Sequence, residues 1–440
     1  MRREQSKTNF AFCILHSALK KPMANSWNMK RTDIEIMAPV GCYESLHAAI
    51  NAGANSVYFG IGRLNMRSAS AANFSESDLE QIVAIAHEAG VKTYLTVNTI
   101  IYDDEMQAMH EVVNKAKEVG VDAIIASDLA VITYAYHVGV EVHISTQCNI
   151  SNSEAVKFFS QWADVVVLAR ELSLEQIAEV HRAIVEQDIR GPKGELVEIE
   201  MFAHGALCMS ISGKCYLSEH ETACSANRGA CRQICRRKYT IQDKDTGEML
   251  DIDGRYILSP KDLCTIDFLD QFIAAGVRVL KIEGRARGGE YVKRVVEAYD
   301  KALRLIEQGE FTRENAEALK EGLLRVFNRG FWGGYYAHKL VVQHSQNYGS
   351  SATHRKEYVG KVTNYFKNIG VAEITVEAST LASGDDILIM GEKTGVVEQK
   401  AENIVLNEQV VEGVKQGDVC SIKTVEPVRR GDKLYKEVPR

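Results

Sequence analysis

The stretch EVGVDAIIASD, residues 118–128, contains the pattern that decides the fold: the end of a polar helix, a glycine, a short apolar run and a polar ending. The same pattern returns in NAGANSVYFG, EAGVKTYLTVN, HVGVEVHISTQ and AAGVRVLKIEGR, at residues 51–60, 88–98, 137–147 and 274–285. In each copy the glycine stands where a helix ends and the backbone needs a positive φ. Apolar runs placed in this way are typical of buried parallel strands.

Three further segments, at residues 34–38, 164–170 and 198–205, bring the number of strands to eight. Eight strands alternating with helices predict a (β/α)8 TIM-type barrel. A doubly wound open sheet is the alternative, but the segment PVGCYES after the first strand lacks the glycines of a phosphate loop.

A TIM-type barrel has its active site at the carboxyl ends of the strands, so polar residues there are site candidates. Glu283 and Arg285 form a charged pair that closes an apolar strand, which is costly to bury without a purpose. His204 lies directly before a cysteine-rich segment. These three are the predicted catalytic residues. The full set of strand-end candidates is Asn98, Asp128, Gln147, Asn149, Arg170, Glu171, His204, Glu283 and Arg285.

The cysteines are unevenly distributed. Of the ten in 440 residues, five lie between Cys208 and Cys235, and Cys264 follows a little later. Such density in a reducing compartment indicates thiolates that hold a metal or an iron–sulfur cluster. No pair has the C-x2-C spacing of a zinc knuckle, and the wide steps favour a cubane cluster. Zinc and unligated thiols remain alternatives.

Whole-chain composition fits a folded protein that is not integral to a membrane. Hydrophobic residues make up 45% and charged residues 25%, which are ordinary globular values. No apolar stretch approaches the 18 to 20 residues that span a bilayer, so we expect a cytoplasmic protein.

The net charge of −7 means that binding to nucleic acid requires a local basic patch. The segment RGACRQICRRKY, residues 228–239, provides one without any acidic residue. We expect it to contact RNA phosphates. The predicted RNA-binding residues are Arg232, Arg236, Arg237 and Lys238.

The chain divides into four predicted parts. Residues 1–31 read as a disordered or spurious extension, and residues 32–345 as the barrel, with a cysteine-rich insertion at 205–258 after strand seven. A linker at 346–356 leads to a small all-β barrel domain at 357–440, where strands alternate with Gly-Asp turns.

The segment EMFAHGALCMSISGKCYLS, residues 200–218, resembles the signature of the collagenase-like U32 peptidase family. The resemblance continues in MAPVG, VYFG, LSPKDLC, KIEGR and FNRGF, and it spans roughly residues 34–345. Some members of this family are named collagen-degrading proteases. Others resemble iron–sulfur hydroxylases that modify tRNA uridine, ribosomal RNA or a ubiquinone precursor.

The resemblance implies a [4Fe-4S] cluster held by Cys208, Cys215, Cys231 and Cys264, with Cys235 as a rival for the third position. It also implies that tRNA is the partner and that prephenate is the small-molecule oxygen donor. No nucleophile–base motif, H-E-x-x-H or G-x-S-x-G is present. We therefore predict a hydroxylase that forms 5-hydroxyuridine at the tRNA wobble position. A U32-type peptidase and a cluster-bearing partner in quinone hydroxylation are the alternatives.

Overall fold

The computed structural model describes residues 29–69, 74–250, 258–337, 342–347 and 349–440. Its first twelve strands in chain order are β1 (Glu35–Pro39), β2 (Ser56–Phe59), β3 (Lys92–Val97), β4 (Ala123–Ala126), β5 (Glu141–Ile144), β6 (Val165–Val167), β7 (Glu198–Gly205), β8 (Ile241–Gln242), β9 (Met249–Leu250), β10 (Asp262–Cys264), β11 (Val277–Ile282) and β12 (Phe331–Trp332). The helices are α1 (Tyr43–Asn51), α2 (Leu79–Glu88), α3 (Met106–Val119), α4 (Leu129–His137), α5 (Ser153–Phe159), α6 (Leu174–Glu186), α7 (Leu217–Thr222), α8 (Leu269–Ala274), α9 (Gly289–Gln308) and α10 (Arg313–Leu324).

Eight parallel strands, β1 to β7 and β11, close into a barrel. Neighbours in sequence pair from β1 through β7, and β11 pairs with both β7 and β1, so the ring has no open edge. The prediction of a TIM-type barrel is confirmed, and the open-sheet alternative is excluded. The repeated glycines behave as predicted, since Gly120 and Gly139 both end helices at a φ of 81°.

The barrel contains two apolar layers. Most buried residues lie between the strands and the surrounding helices, in a cluster that extends from Met29 to Tyr336. A smaller cluster fills the inside of the barrel and includes Met37, Tyr58, Tyr94 and Val279. The interior is therefore packed, and open space remains at its carboxyl-terminal mouth.

The cysteine-rich insertion begins and ends at the same edge of the barrel. β7 ends at Gly205, and β10 returns antiparallel to it, with Leu263 opposite Gly205. Between these strands lie α7 and the β8–β9 hairpin. The insertion thus lies over the carboxyl ends of the strands, where the site was predicted.

The carboxyl-terminal region is all β and mainly antiparallel. Its strands are β13 (His354–Phe366), β14 (Val371–Val376), β15 (Thr380–Ala382), β16 (Asp386–Gly391), β17 (Gly395–Lys400), β18 (Ile404–Leu406), β19 (Gln409–Val411), β20 (Gly413–Lys415), β21 (Val419–Lys423) and β22 (Lys433–Pro439). Eight of them form one sheet in the order β17-β16-β22-β13-β14-β21-β18-β19, around an apolar core of their own.

The β region packs directly on the barrel helices. Leu388, Met390 and Val396 form an apolar contact with Ala48 of α1. The Arg294 guanidinium on α9 lies 3.0 Å from the Glu398 carboxylate and 2.6 Å from that of Glu437. Apolar contact and partly buried ion pairs therefore fix the two parts against each other.

Most of the predicted amino-terminal extension, residues 1–28, lies outside the described residues. Arg31 belongs to the fold, because its guanidinium is buried and donates to Asp300 at 2.7 Å and to Asn55 at 3.0 Å. The predicted domain bounds otherwise stay a prediction. Within the described part of the chain, no helix combines the length and the apolar character needed to cross a bilayer.

Candidate functional site

A pocket of about 240 Å³ opens at the carboxyl ends of the barrel strands. Tyr58, Ile125, Phe202 and Lys281 of the barrel interior line it, and the cysteine-rich insertion covers it. Side chains from at least five different strands or strand-end loops therefore meet in one cavity. This is the arrangement that the fold predicts for an active site.

Glu283 is the one carboxylate among the described residues that line this pocket. It follows β11 and accepts a hydrogen bond from Arg67 at 2.7 Å and from the Tyr58 hydroxyl at 3.3 Å. Burial opposes its ionisation, but the positive charges of Arg67 and Arg285 outweigh that effect and lower the pKa of Glu283. The carboxylate is therefore ionised at neutral pH.

Arg285 lies beside Glu283 and is almost fully buried. Its Nη1 donates to the Thr96 hydroxyl at 2.9 Å and to the Asn65 amide oxygen at 3.2 Å. Burial lowers its pKa to about 10, so the guanidinium still carries its charge at neutral pH. Its Nε is buried without a hydrogen-bond partner, which is costly for a charged donor.

Beneath these residues, a chain of charged groups runs through the barrel interior. The Lys281 ammonium donates to Glu200 at 2.6 Å, and the other Glu200 oxygen lies 3.6 Å from His143 Nδ1. Burial disfavours protonation of His143, but the carboxylates of Glu141 and Glu200 outweigh it and raise its pKa to about 9. The ion pair with Glu200 fixes the position of the Lys281 ammonium at the floor of the pocket.

Four cysteines of the insertion line the same pocket: Cys208, Cys215, Cys231 and Cys235. Three of the thiols are partly buried, and Cys208 is exposed. Among the described residues, no three His, Cys, Asp or Glu side chains are spaced to hold a single metal ion. Because all four thiols line one cavity, these cysteines are the candidate ligands for the predicted cluster.

Cys264, predicted as a cluster ligand, lies elsewhere. It belongs to β10, is 1% exposed and packs in the main apolar core. Burial raises the pKa of its thiol to about 12, and burial also raises the pKa of the Cys235 thiol. The structure thus replaces Cys264 by Cys235 in the candidate ligand set, because the short Cys231–Cys235 segment places both thiols at the pocket.

His204, predicted as catalytic, does not line the pocket. The register of β7 and β11 shifts between Lys281–Phe202 and Ile282–His204, so a bulge at this point changes the side-chain alternation. The His204 ring instead contacts the rings of Tyr299 and Phe331 at 5.8 and 5.3 Å. Burial lowers its pKa to about 3, so it is a neutral core residue.

The predicted RNA-binding residues separate into two groups. Arg232, Arg237 and Lys238 are exposed, although Arg237 pairs with Glu221 of α7. Arg236 points inward, and its guanidinium donates to the Ser259 hydroxyl and to two backbone carbonyl oxygens at 2.7 to 2.8 Å. Arg236 therefore holds the insertion in place, and its hydrogen bonds leave it poorly suited to bind a phosphate.

A second cavity, of about 550 Å³, adjoins the pocket. We call it the basic groove: among the described residues that line it are Arg232, Arg236, Arg237 and Arg329, with no acidic residue. It shares Cys231, Gln233, Arg236 and Arg329 with the pocket. The groove is therefore a positively charged approach to the thiols.

The other strand-end candidates have different positions. Asn98, Gln147 and Arg170 line the pocket, as the fold predicted. Asp128 caps α4 by accepting from the Ala130 amide at 2.9 Å. Asn149 and Glu171 do not line the pocket, and Asn149 instead adopts a left-handed backbone conformation.

Sequence reasoning missed Arg67, Tyr58, Glu200 and Lys281. Arg67 lies in the loop after β2, a segment without a motif that points to the site. Lys281 and Glu200 interrupt apolar strands, and a charged residue inside such a strand is a signal that a partner is buried nearby. That signal was available and was used for Glu283 and Arg285 alone.

The chain is similar to several known proteins. A collagenase of Porphyromonas gingivalis strain W83 is 55% identical over 93% of this chain and 99% of its own length. The 23S rRNA 5-hydroxycytidine C2501 synthase of Escherichia coli is 37% identical over 68% of this chain and 44% of its own. The tRNA hydroxylation protein P1 of Bacillus subtilis is 31% identical over 81% of this chain and 83% of its own. The model of peptidase family U32 matches residues 41–346, and the chain belongs to that family.

Proposed function

We propose that the protein is an iron–sulfur-dependent RNA hydroxylase that forms 5-hydroxyuridine at the tRNA wobble position, with prephenate as the oxygen source. One observation carries the proposal. The pocket combines four thiols, several cations and one ionised carboxylate, while no histidine is among the described residues that line it. That composition suits a redox cofactor beside an anionic substrate.

The donor set fits a [4Fe-4S] cluster. Cys208, Cys215, Cys231 and Cys235 would each supply one thiolate, which is the ligand count of such a cluster. When bound, the cluster would supply electron transfer next to the substrate.

The cations of the pocket suit a carboxylate such as prephenate. Arg170 and Arg285 line the pocket, and the Nε of each is buried without a hydrogen-bond partner. Arg170 otherwise donates to Ser212 at 2.6 Å and lies over the Phe202 ring at 5.0 Å. Together with Lys281, these side chains give the pocket a positive charge that favours an anionic ligand.

Glu283 is the residue that can take up a proton in this pocket. Hydroxylation replaces the C5–H bond of uridine with a C5–O bond, so one proton and two electrons must leave the base. The cluster would pass the electrons to an external electron acceptor, and a protein group must take the proton. The Glu283 carboxylate is ionised by its arginine neighbours and faces the cavity. Arg67 and Tyr58 hold it in one orientation, which is what a general base requires.

A peptidase is the second candidate, because the 55% identical relative is named a collagenase. Hydrolysis of a peptide by a serine or cysteine nucleophile needs a nearby base, usually histidine. No described histidine lines the pocket, and a lone carboxylate cannot form an aspartic dyad. Relatives that are 37 and 31% identical are named for RNA modification, and we prefer that function because the pocket lacks the groups that a peptidase needs.

Nucleoside mass spectrometry of tRNA from a deletion strain tests the proposal. We expect 5-hydroxyuridine derivatives to disappear, to return with the parent gene, and to stay absent with Cys215→Ser. Exposed Cys42 offers a matched control, and Cys42→Ser should restore the nucleoside. An unchanged nucleoside profile in the deletion strain would refute tRNA uridine hydroxylation by this protein.

A further inference from the structure

The rim of the pocket carries an exposed apolar surface. Met209, Ile211, Tyr216 and Leu217 are 36%, 51%, 80% and 38% exposed. Tyr216 has the highest exposure of the large hydrophobic side chains that the structure describes. We call these four residues, which lie within nine positions of the chain, the rim patch, and exposed apolar residues beside a pocket are candidates for ligand contact.

The rim patch is continuous with the pocket. Met209 and Leu217 belong to the patch and also line the pocket, and Tyr216 stands between the pocket residues Cys215 and Leu217. α7, which begins at Leu217, is tied to the basic segment, because the Arg232 amide donates to the Ser218 hydroxyl at 3.0 Å. A ligand that leaves the pocket mouth therefore meets an aromatic ring close to cationic side chains.

Charge complementarity identifies the kind of ligand. Arg232 and Arg237 are the exposed arginines in the described lining of the basic groove, and no residue of that lining is acidic, so the groove favours a polyanion. An exposed tyrosine beside a cationic groove is the arrangement by which proteins bind single-stranded nucleic acid, with bases stacked on the ring and phosphates held by the cations. A base-paired helix cannot present its bases in this way.

We propose that Tyr216 is a stacking platform for an unpaired RNA base next to the nucleotide that enters the pocket. This inference rests on the proposed function and specifies its substrate class: RNA whose target lies in a single-stranded loop. The target base enters the pocket, its phosphates follow the basic groove, and a neighbouring base lies on the Tyr216 ring. Stacking then compensates for the separation of the two bases.

Equilibrium binding of a fluorescein-labelled oligouridine, measured by anisotropy, tests the proposal. Stacking on an aromatic ring contributes about 1–3 kcal/mol per base, so Tyr216→Ala should weaken binding about 5- to 150-fold. Tyr216→Phe should keep the parent affinity, whereas Tyr216→Leu, which is apolar without an aromatic ring, should not. Binding to a paired RNA duplex of equal length should be weaker and should not respond to Tyr216→Ala.

Tyr136→Ala is the matched control, because Tyr136 is 46% exposed in the last turn of α4, at the opposite end of the barrel. It should bind like the parent. If Tyr216→Ala binds oligouridine as tightly as the parent, the stacking proposal is wrong while RNA hydroxylation stands. If the parent protein binds no RNA but deletion of its gene still abolishes the modified nucleoside, the stacking proposal also fails. If the parent binds no RNA and the deletion strain keeps the modified nucleoside, the proposed function itself fails.

Discussion

The choice between Cys235 and Cys264 as a cluster ligand gives the sharpest prediction. We expect Cys235→Ala to lower the iron content from about four atoms per chain, because a [4Fe-4S] cluster needs its four thiolates. Cys264→Ala should leave the iron content unchanged, since the side chain is 1% exposed in the apolar core and does not line the pocket. The second variant should instead lose on the order of 1 kcal/mol of stability, from the lost packing of one buried atom.

The assay combines anaerobic reconstitution, iron and labile-sulfide analysis, and urea unfolding of the apoprotein. The unfolding measurement separates a lost ligand from a damaged fold, because Cys235 is only partly buried and its replacement should cost little. Full iron content in Cys235→Ala with loss of iron in Cys264→Ala would refute the ligand set derived from the structure. Stoichiometric zinc without labile sulfide in the parent would refute the cluster itself.

Three further predictions concern charge and catalysis. Replacing exposed Arg232 and Arg237 together by Ala should weaken RNA binding and reduce the slope of log K against log salt by about 1.4, at roughly 0.7 per lost contact to a single strand. Arg236→Ala should mainly destabilise the insertion, as measured by thermal unfolding. If Arg236→Ala reduced the salt slope as much as the double variant of Arg232 and Arg237, the inward position of Arg236 would be contradicted. The pKa of His143 is raised to about 9, so its contribution to stability, on the order of 3 kcal/mol, should be complete below about pH 6.5 and lost as the pH rises through 9. Urea unfolding across this pH range should show a fall in the free energy of unfolding for the parent but not for His143→Gln. Equal pH profiles of the two proteins would contradict this role of His143. Homogeneous protein should not cleave gelatin, and cleavage that disappears in Cys208→Ser would favour the peptidase.

The sequence predicted the barrel well because its signal is local and repeated. In the five copies of the repeated pattern the helix ends near a glycine with positive φ, as at Gly120 and Gly139, and a buried apolar strand follows. Eight strand–helix units in one chain are typical of a closed barrel. The position of Glu283 and Arg285 at the pocket followed from the same rule.

The residues that were misplaced depend on geometry that no local pattern encodes. His204 faces the helices because of one bulge between β7 and β11. Cys264 enters the core because β10 pairs with the end of β7. Arg236 resembles its exposed neighbours in the sequence, but its guanidinium donates hydrogen bonds to backbone carbonyl oxygens of two other segments. Such contacts between distant segments appear only once the chain is folded.

The common edge at which the insertion leaves and rejoins the barrel has an evolutionary consequence. Because Gly205 and Leu263 lie opposite each other, the residues between them form a cassette whose two ends are neighbours. Changes in the length or composition of this cassette can alter the chemistry above the mouth without moving a barrel strand. Relatives with different activities can therefore arise when this cassette changes while the barrel stays the same.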